Sequence, residues 1–297
     1  MRTFKEIIKI LMNKNMFWWI KDEEYVKIKY KLEMNKRLNL QEPRTFNEKL
    51  QWLKLYDRKP EYTKMVDKYE AKKYVADIIG EEYIIPTLGV WDKFEDIDFT
   101  KLPNQFVLKP THASGNVFIC KNKDEIDYKK LKKTVQKWLK RNYYLVHREW
   151  PYKNVKPRII IEKYMENEQQ RELIDYKFFC LNGEPKFLYV SEGLSNHATA
   201  KISFVDMKYN MAKFHRNDYK SFDKLPAKPL NFEEMKKLAK VLSKDIPFLR
   251  VDFYEIEGRI YFGELTFFPC SGYIPFEPEE YDKILGDMLK LSEEKRE

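Results

Sequence analysis

Arg250, Asp252, Glu264 and Thr266 lie in RVDFYEIEGRIYFGELTFFP, residues 250–269, at spacings that suit a metal and phosphate site. Alternate side chains of a strand share a face, so Arg250 and Asp252 point one way, and Glu264 and Thr266 agree with each other. Glu257-Gly258 supplies the turn between the two runs. A loop with an odd number of residues, such as a three-residue loop with Gly258 in the left-handed position, would set Asp252 opposite Glu264. Two carboxylates and a hydroxyl are hard oxygen ligands for Mg²⁺, which completes its shell with water and substrate phosphates. Val251, Phe253, Tyr261 and Leu265 form the expected apolar face. An ordinary amphipathic hairpin with a solvated polar face has the same pattern, so the rest of the chain must decide between the two.

Phosphates also need a holder. The chain has 9 glycines and contains neither GxxxxGK[ST] nor GxGxxG, which excludes the P-loop and Rossmann cradles at the motif level. Lys109 ends the apolar run Phe106 to Leu108 and is followed by Thr111-His112-Ala113-Ser114-Gly115-Asn116, a small-residue loop whose amides can wrap phosphate oxygens. A lysine there acts as a point charge on the α- and β-phosphates. The plain alternative, a strand-end lysine reaching solvent, sits uncomfortably after a wholly apolar run. His112 lies in the same loop, whereas His147, His197 and His215 read as surface or packing residues. Cys120, Cys180 and Cys270 are far apart with no CxxC pair, which argues against a zinc site or a disulfide scaffold and suits a reducing cytoplasm. Cys270 follows the hairpin closely but is assigned no nucleophilic role.

The elements that must position these residues follow from periodicity. Residues 1–75 read as helical, with a periodic run around Leu50, Trp52, Leu53 and Leu55, and Val66 to Ile79 contains a further helix ending at Gly80. Ile84 to Pro86 suggests a short strand or its entry, Asn104 to Lys109 a buried strand stopped by Pro110, Lys129 to Arg141 a helix, and RIIIEKYM from Arg158 a strand. Asp175 to Val190, with Asn182-Gly183 between apolar runs, is a hairpin. A helix at Phe232 to Lys244 precedes the Arg250 hairpin, and Tyr281 to Leu291 closes the chain as a helix. Helices first, then strands and helices mixed with two antiparallel hairpins, is an α+β order rather than a doubly wound one.

The 297 residues, 43% of them hydrophobic, suffice for a real core. Lys+Arg 56 against Asp+Glu 47 gives a net charge of +9, which suits anionic partners. No concentrated arginine patch with interleaved aromatics is present, so nucleic acid is not an expected partner. In residues 1–20, Phe4, Ile7, Ile8, Leu11 and Met12 have helical spacing, while Lys5, Lys9 and Lys14 break any spanning run and no signal-peptide pattern is seen. A basic amphipathic helix followed by Phe17, Trp18, Trp19 and Ile20 either rests on an anionic membrane face or packs on its own protein. The expected location is the cytoplasm, with the inner membrane face as the alternative.

Together these residues resemble the ATP-grasp superfamily, and within it the group similar to the teichuronopeptide-biosynthesis protein TupA, from about Arg44 to Pro278. VDKYEAKKYVADIIG with IIPTLGVW, from Val66, looks like the opening of the first lobe; FVLKPTHASGN matches the strand lysine and its phosphate loop; IIIEKYM, Ile159 to Met165, matches the hinge between lobes. DYKFFCLNGEPKFLYV, from Asp175, is similar to the hairpin bearing an acid and base beside the nucleotide, and RVDF with GELT is similar to the metal-binding hairpin. The resemblance implies two α/β lobes clasping ATP behind a helical N-terminal extension: residues 1–75 as the extension and start of the first lobe, 76–165 as the nucleotide lobe, and 166–297 as the metal-bearing lobe. It also implies that Lys109, His112, Ser114, Gly115, Glu162, Lys163, Tyr164, Met165, Asp175 and Lys177 bind ATP. Arg250 and Lys109 would stabilise the transferred phosphoryl, and Asp252, Glu264 and Thr266 would hold about two Mg²⁺, with Mn²⁺ as a substitute. Thr266 departs from the family pattern, which has Asn at that place.

The activity so implied is an ATP-dependent carboxylate–amine ligase working through an acyl phosphate. Its substrate would be a capsular or cell-wall polysaccharide precursor, with a uronic acid or nucleotide-sugar carboxylate joined to an amino acid or amino alcohol. A glycan kinase using the same nucleotide site is the second reading, and a non-enzymatic basic adaptor for acidic polymer or membrane is the third.

Overall fold

The computed structural model describes residues 4–166, 173–194 and 197–292. Five helices come first: α1 (Phe4–Asn13), α2 (Asp22–Met34), α3 (Phe46–Tyr56), α4 (Glu61–Val66) and α5 (Glu70–Ile79). There follow β1 (Thr87–Trp91), β2 (Phe106–Pro110), β3 (Phe118–Cys120), α6 (Tyr128–Lys140), α7 (Tyr143–His147) and β4 (Ile159–Lys163). The remainder comprises β5 (Asp175–Leu181), β6 (Glu184–Glu192), β7 (Lys201–Asp206), β8 (His215–Arg216), α8 (Phe232–Leu242), β9 (Phe248–Ile256), β10 (Arg259–Thr266), β11 (Phe276–Glu277) and α9 (Glu280–Met288). The class is α+β, with antiparallel pairing throughout both main sheets.

Local chemistry explains the helix boundaries. Thr45 accepts from the Glu48 amide at 3.2 Å while the Glu48 carboxylate accepts from the Thr45 amide at 3.1 Å, a capping box that starts α3. The helix expected within Val66 to Ile79 is α5, which ends at Gly80. Asp67 separates it from α4, because its carboxylate accepts from the Tyr69 and Glu70 amides at 2.8 and 3.3 Å and so restarts the chain at α5. Ile84 to Pro86 is the entry to a strand that begins at Thr87, and Ile84 makes an isolated bridge to Phe262. Asn182 and Gly183, both at positive φ, close the β5–β6 hairpin, as their types require for a two-residue turn.

Two sheets divide the strands. The order β1-β4-β2-β3 makes a four-stranded sheet from residues 87–163, and β10-β9-β5-β6-β7 a five-stranded sheet from residues 175–266. Each has its own core. Phe106, Leu108, Ile159 and Ile161 pack with Leu131 and Val135 of α6 beneath the smaller sheet. Phe178, Phe179, Val251 and Phe253 join Phe46, Leu50 and Leu53 of α3 and Phe232 and Met235 of α8 in the larger core. The N-terminal helices α3 and α4 thus bury their apolar faces against the five-stranded sheet, not the four-stranded one.

The Arg250 hairpin corrects one expectation. Its turn is a two-residue one, Glu257-Gly258, both at positive φ, and pairs Ile256 with Arg259. A two-residue loop alone would leave Asp252 opposite Gly263 and turn Glu264 to the other face. A β-bulge at Gly263 changes the parity, so that Glu264 pairs with Asp252 and Thr266 with Arg250. The same bulge moves Tyr261 off the apolar face: it pairs with Tyr254, two residues along from Asp252, and Phe262, paired with Phe253, takes the apolar place.

Candidate active site

One cross-strand row builds half of the site. Tyr189, Lys177, Asp252 and Glu264 are successive partners across β6, β5, β9 and β10, and directly paired residues of antiparallel strands share a face. Asp252, 1% exposed, accepts from Arg250 Nε at 2.7 Å and Nη2 at 2.6 Å and from Lys177 Nζ at 2.8 Å. Lys177 also donates to Asp175 at 2.9 Å, and Arg250 to Glu264 at 2.8 Å and to the Tyr189 hydroxyl at 3.3 Å. Burial raises the Asp252 carboxyl above its ordinary range despite Arg250 and Lys177. Burial alone would raise Glu264 too, but Lys68, Arg250, Lys177 and Lys109 outweigh it and hold that carboxyl at about 2.

The four-stranded sheet supplies the other half. Glu162 on β4 faces Val107 on β2, and Lys109, two residues on, shares that face. Glu162 is buried and ion-paired to both Lys109 and Lys72, the latter at 2.5 Å. Burial would raise its carboxyl, yet the two lysines bring it down to about 2. Lys72 also donates to the Ile85 carbonyl at 2.6 Å and Thr87 Oγ1 at 3.2 Å, which ties α5 to the start of β1. Lys68 donates to the Ala113 carbonyl at 2.8 Å and so holds the loop after β2 against the start of α5.

Between the halves lies a cavity of about 320 Å³. Lys68, Lys109, Glu162, Ser114, Gly115 and Asn116 line it from one side, and Asp175, Lys177, Tyr254 and Glu264 from the other. Gly115 has φ +77 with open space where a Cβ would stand, and the Asn116 side-chain amide nitrogen is buried without a partner. A buried donor with nothing to bind, beside three ammonium groups, fits an anionic oxygen.

Of the residues expected from sequence, Lys109, Ser114, Gly115, Glu162, Asp175, Lys177 and Glu264 therefore converge on this cavity. Arg250 and Asp252 stand behind it, reaching it through Glu264 and Lys177. Thr266 is one pair farther along, opposite Arg250, and is not among the lining residues. His112 is buried and turned away, with Nε2 donating to the Arg141 carbonyl at 3.2 Å; burial lowers its pKa. Lys163 is exposed at the end of β4, its amide donating to the Pro86 carbonyl at 2.9 Å, and Tyr164 lies under the Lys121 ammonium at 6.0 Å; neither these two nor Met165 lines the cavity. Sequence reading named Asn116 only as part of the phosphate loop and missed Lys68, Lys72 and Tyr152, of which the first two sit in DKYEAKK, a run whose helical spacing marks an element rather than a site.

A family model described as TupA-like ATPgrasp matches residues 48–290. The chain belongs to the TupA-like ATP-grasp family. A search of curated proteins returned no significant match. Among solved structures, D-alanine–D-alanine ligase from Bacillus anthracis complexed with ATP is similar at 21% identity and TM-score 0.43, over 76% of this chain and 64% of that one. L-amino acid ligase from Bacillus licheniformis is similar at 14% and 0.45, over 84% and 58%, and D-alanine–D-alanine ligase from Helicobacter pylori at 18% and 0.40, over 76% and 61%. The chain thus spans less than two thirds of the length of each of these proteins. The ATP-grasp assignment agrees with two sheets flanking a lysine-lined cavity.

Proposed function

We propose that this TupA-like ATP-grasp protein is an ATP-dependent ligase that activates a carboxylate as an acyl phosphate and transfers the acyl group to an amine. The observation that carries the reading is the convergence of Lys68, Lys109, Lys177 and the unpartnered Asn116 amide with Glu264 on the cavity between the sheets. Phosphoryl transfer to a carboxylate needs positioning and charge neutralisation more than a covalent residue. Lys68 and Lys109 would bind phosphate oxygens, with Glu162 aiming Lys109. Lys177, fixed between Asp175 and Asp252, would reach the same oxygens from the other sheet. Arg250 would steer Glu264 and meet the charge on the transferred group.

Asp252 and Glu264 suit Mg²⁺ in donor chemistry, being hard carboxylate oxygens opposite one another. Among the described residues they do not form part of any cluster of three or more His, Cys, Asp or Glu, so water and phosphate would complete the shell. Both acids now accept from Arg250, whose guanidinium would share or yield them, and Thr266 would contribute at most through water. When bound with nucleotide, the ion supplies charge neutralisation at the β- and γ-phosphates.

The excess of 56 basic over 47 acidic residues supports an acidic acceptor, and the resemblance to the teichuronopeptide-biosynthesis group points to a surface-polymer precursor: a uronic acid or nucleotide-sugar carboxylate joined to an amino acid or amino alcohol. A coupled ADP-release screen of uronic acids and nucleotide uronates against amines, with mass spectrometry of products, tests this. ADP release that requires both carboxylate and amine, with an amide product, is the expected result. A stable phosphorylated product without an amine requirement makes the protein a kinase, and failure to bind MgATP removes the enzyme reading altogether.

A further inference from the structure

The aromatic turn after α1 lies far from this chemistry in sequence and is built in an unusual way. Phe4, Ile7, Ile8, Ile10, Leu11 and Met12 make an apolar arc on α1, but only Met12 at one edge of it is fully buried, and Phe4 and Ile7 are exposed. Helix α1 ends with Asn15 in the left-handed conformation, its amide donating to the Met12 carbonyl at 3.0 Å and that of Met16 to Leu11 at 3.1 Å, a Schellman stop. A turn then carries Trp18 and Trp19 at 67% and 62% exposure, packed edge to face on each other at 6.1 Å.

The turn is held from behind. Arg148, a fully buried side chain, donates to the carbonyls of Phe17, Trp18 and Ile20 at 3.1, 3.3 and 3.2 Å and lies over the Tyr25 ring at 4.3 Å. Lys29 and Tyr25 donate to the Val146 carbonyl nearby at 2.7 and 2.9 Å. A buried guanidinium is costly unless it is partnered, and here backbone carbonyls of the turn take up Nη2 while Nε faces the Asp22 carboxylate at 3.5 Å. The backbone is thus fastened to the protein while its two largest side chains point into water, the reverse of a segment that packs by its aromatics.

The surroundings are basic. Residues 4–21 hold four lysines and one acid, and Lys5, Lys14 and Lys21 are exposed. The Asn15 side chain lies 3.5 Å from the Asn142 carbonyl, which sets the turn beside the end of α6, where residues 128–141 carry seven basic residues and no acid. We infer that α1 and the Phe17–Ile20 turn form a docking surface for an anionic lipid bilayer, with Trp18 and Trp19 entering the headgroup region and the lysines facing its phosphates. Tryptophan favours that depth, and basic flanks add attraction to anionic lipid. An acidic polymer would need the charges but not the bare rings, and a two-fold dimer through the turn would set Lys14 and Lys21 against like charges of the second copy. No helix among the described residues is long and apolar enough to cross a membrane, so the contact is interfacial.

Co-sedimentation of the full chain with vesicles of phosphatidylglycerol and phosphatidylcholine, and of phosphatidylcholine alone, tests the inference independently of the ligase reading. Binding is expected with the anionic vesicles and should weaken as salt rises. Trp18→Ala with Trp19→Ala should lower the partition at least ~10-fold, the scale of two lost aromatic side chains, at an unchanged thermal midpoint. Lys14→Glu with Lys21→Glu should lower it by a similar ~10-fold with the rings intact, which covers the case in which the tryptophan variant misfolds. Absence of binding to anionic vesicles, or equal binding by both double variants and the parent, overturns the proposal. So does a tryptophan-dependent dimer in sedimentation velocity, or capture by a soluble polyuronate, in place of vesicle binding.

Discussion

The two banks of the cavity solve the same problem, holding buried charge, with opposite balances. On the four-stranded side Lys72 and Lys109 share one carboxylate, Glu162, and Lys68 adds a third ammonium at the cavity wall. On the five-stranded side Lys177 and Arg250 face three, Asp175, Asp252 and Glu264. The first bank keeps positive charge to spare and leaves Lys109 partly open, which suits an anion. The second keeps negative charge to spare, most of it sealed behind Arg250, which suits a cation arriving with that anion. A cavity flanked in this way favours a metal–polyphosphate pair over either component alone.

The sharpest way to break the contrast is to unbalance the sealed bank. Asp252→Ala would leave Arg250 and Lys177 buried around a missing partner, and removal of one member of a buried charge group costs ~3–5 kcal/mol. Urea unfolding should show a loss of that size; a loss below ~1 kcal/mol would mean that the bank is not held together by Asp252.

Glu264 tests the same bank at its open end, where the side chain is 36% exposed. Glu264→Gln keeps the shape, removes the charge and should slow ADP release at least ~10²-fold, the scale of a lost electrostatic contribution to phosphoryl transfer. Retained turnover would take Glu264 out of the chemistry and leave it as a partner of Arg250.

How far the sequence reached differs between the banks for a physical reason. Strand alternation sets Arg250 with Asp252 and Glu264 with Thr266, and the run Phe106–Lys109 places Lys109 at the loop, because period-two patterns are local. The pairing of Asp252 with Glu264 is the expected one, reached by a bulge instead of an odd-numbered loop: Gly263 looks like any strand glycine, and only the register of the two strands reveals its bulge. Lys68 and Lys72 were invisible as site residues, since a lysine beginning a helix carries no pattern until tertiary structure brings α5 against the loop at Ala113. His112 was placed in the right loop, but no spacing rule foretells that its ring turns to Arg141.

Acid should separate the banks next. Glu162 is held at about 2, below the ~4.3 of a carboxylate in an unfolded chain, so its contribution to stability is complete above the unfolded value and is lost as pH falls through about 2. Asp252 is raised by burial, so its ionisation opposes folding at neutral pH and its protonation in acid relieves that cost. The gap in urea midpoint between the parent and Glu162→Gln should therefore narrow as pH falls from about 5 to 2. A gap that stays constant with pH would show that the Lys72 and Lys109 pairs do not set the carboxyl's behaviour.

The smallest effect should come from the bulge that brings the second bank into register. A Cβ on Gly263 would stand 3.1 Å from the Tyr254 ring, 3.2 Å from the Asp252 carbonyl oxygen and 3.4 Å from the Asp252 Cβ. The ring can shift by a few tenths of an ångström, but the carbonyl belongs to the β9 backbone beneath the site. Gly263→Ala should thus cost ~1 kcal/mol of stability, at the low end for overpacking. Because the strain falls on the residue paired with Glu264, turnover should drop by more than that stability loss accounts for when the folded fraction is corrected. If the variant loses stability but turns over ADP at the parent's rate per folded molecule, the bulge serves only to pass the strand, and the alignment of Asp252 with Glu264 tolerates more freedom than a metal-binding pair should.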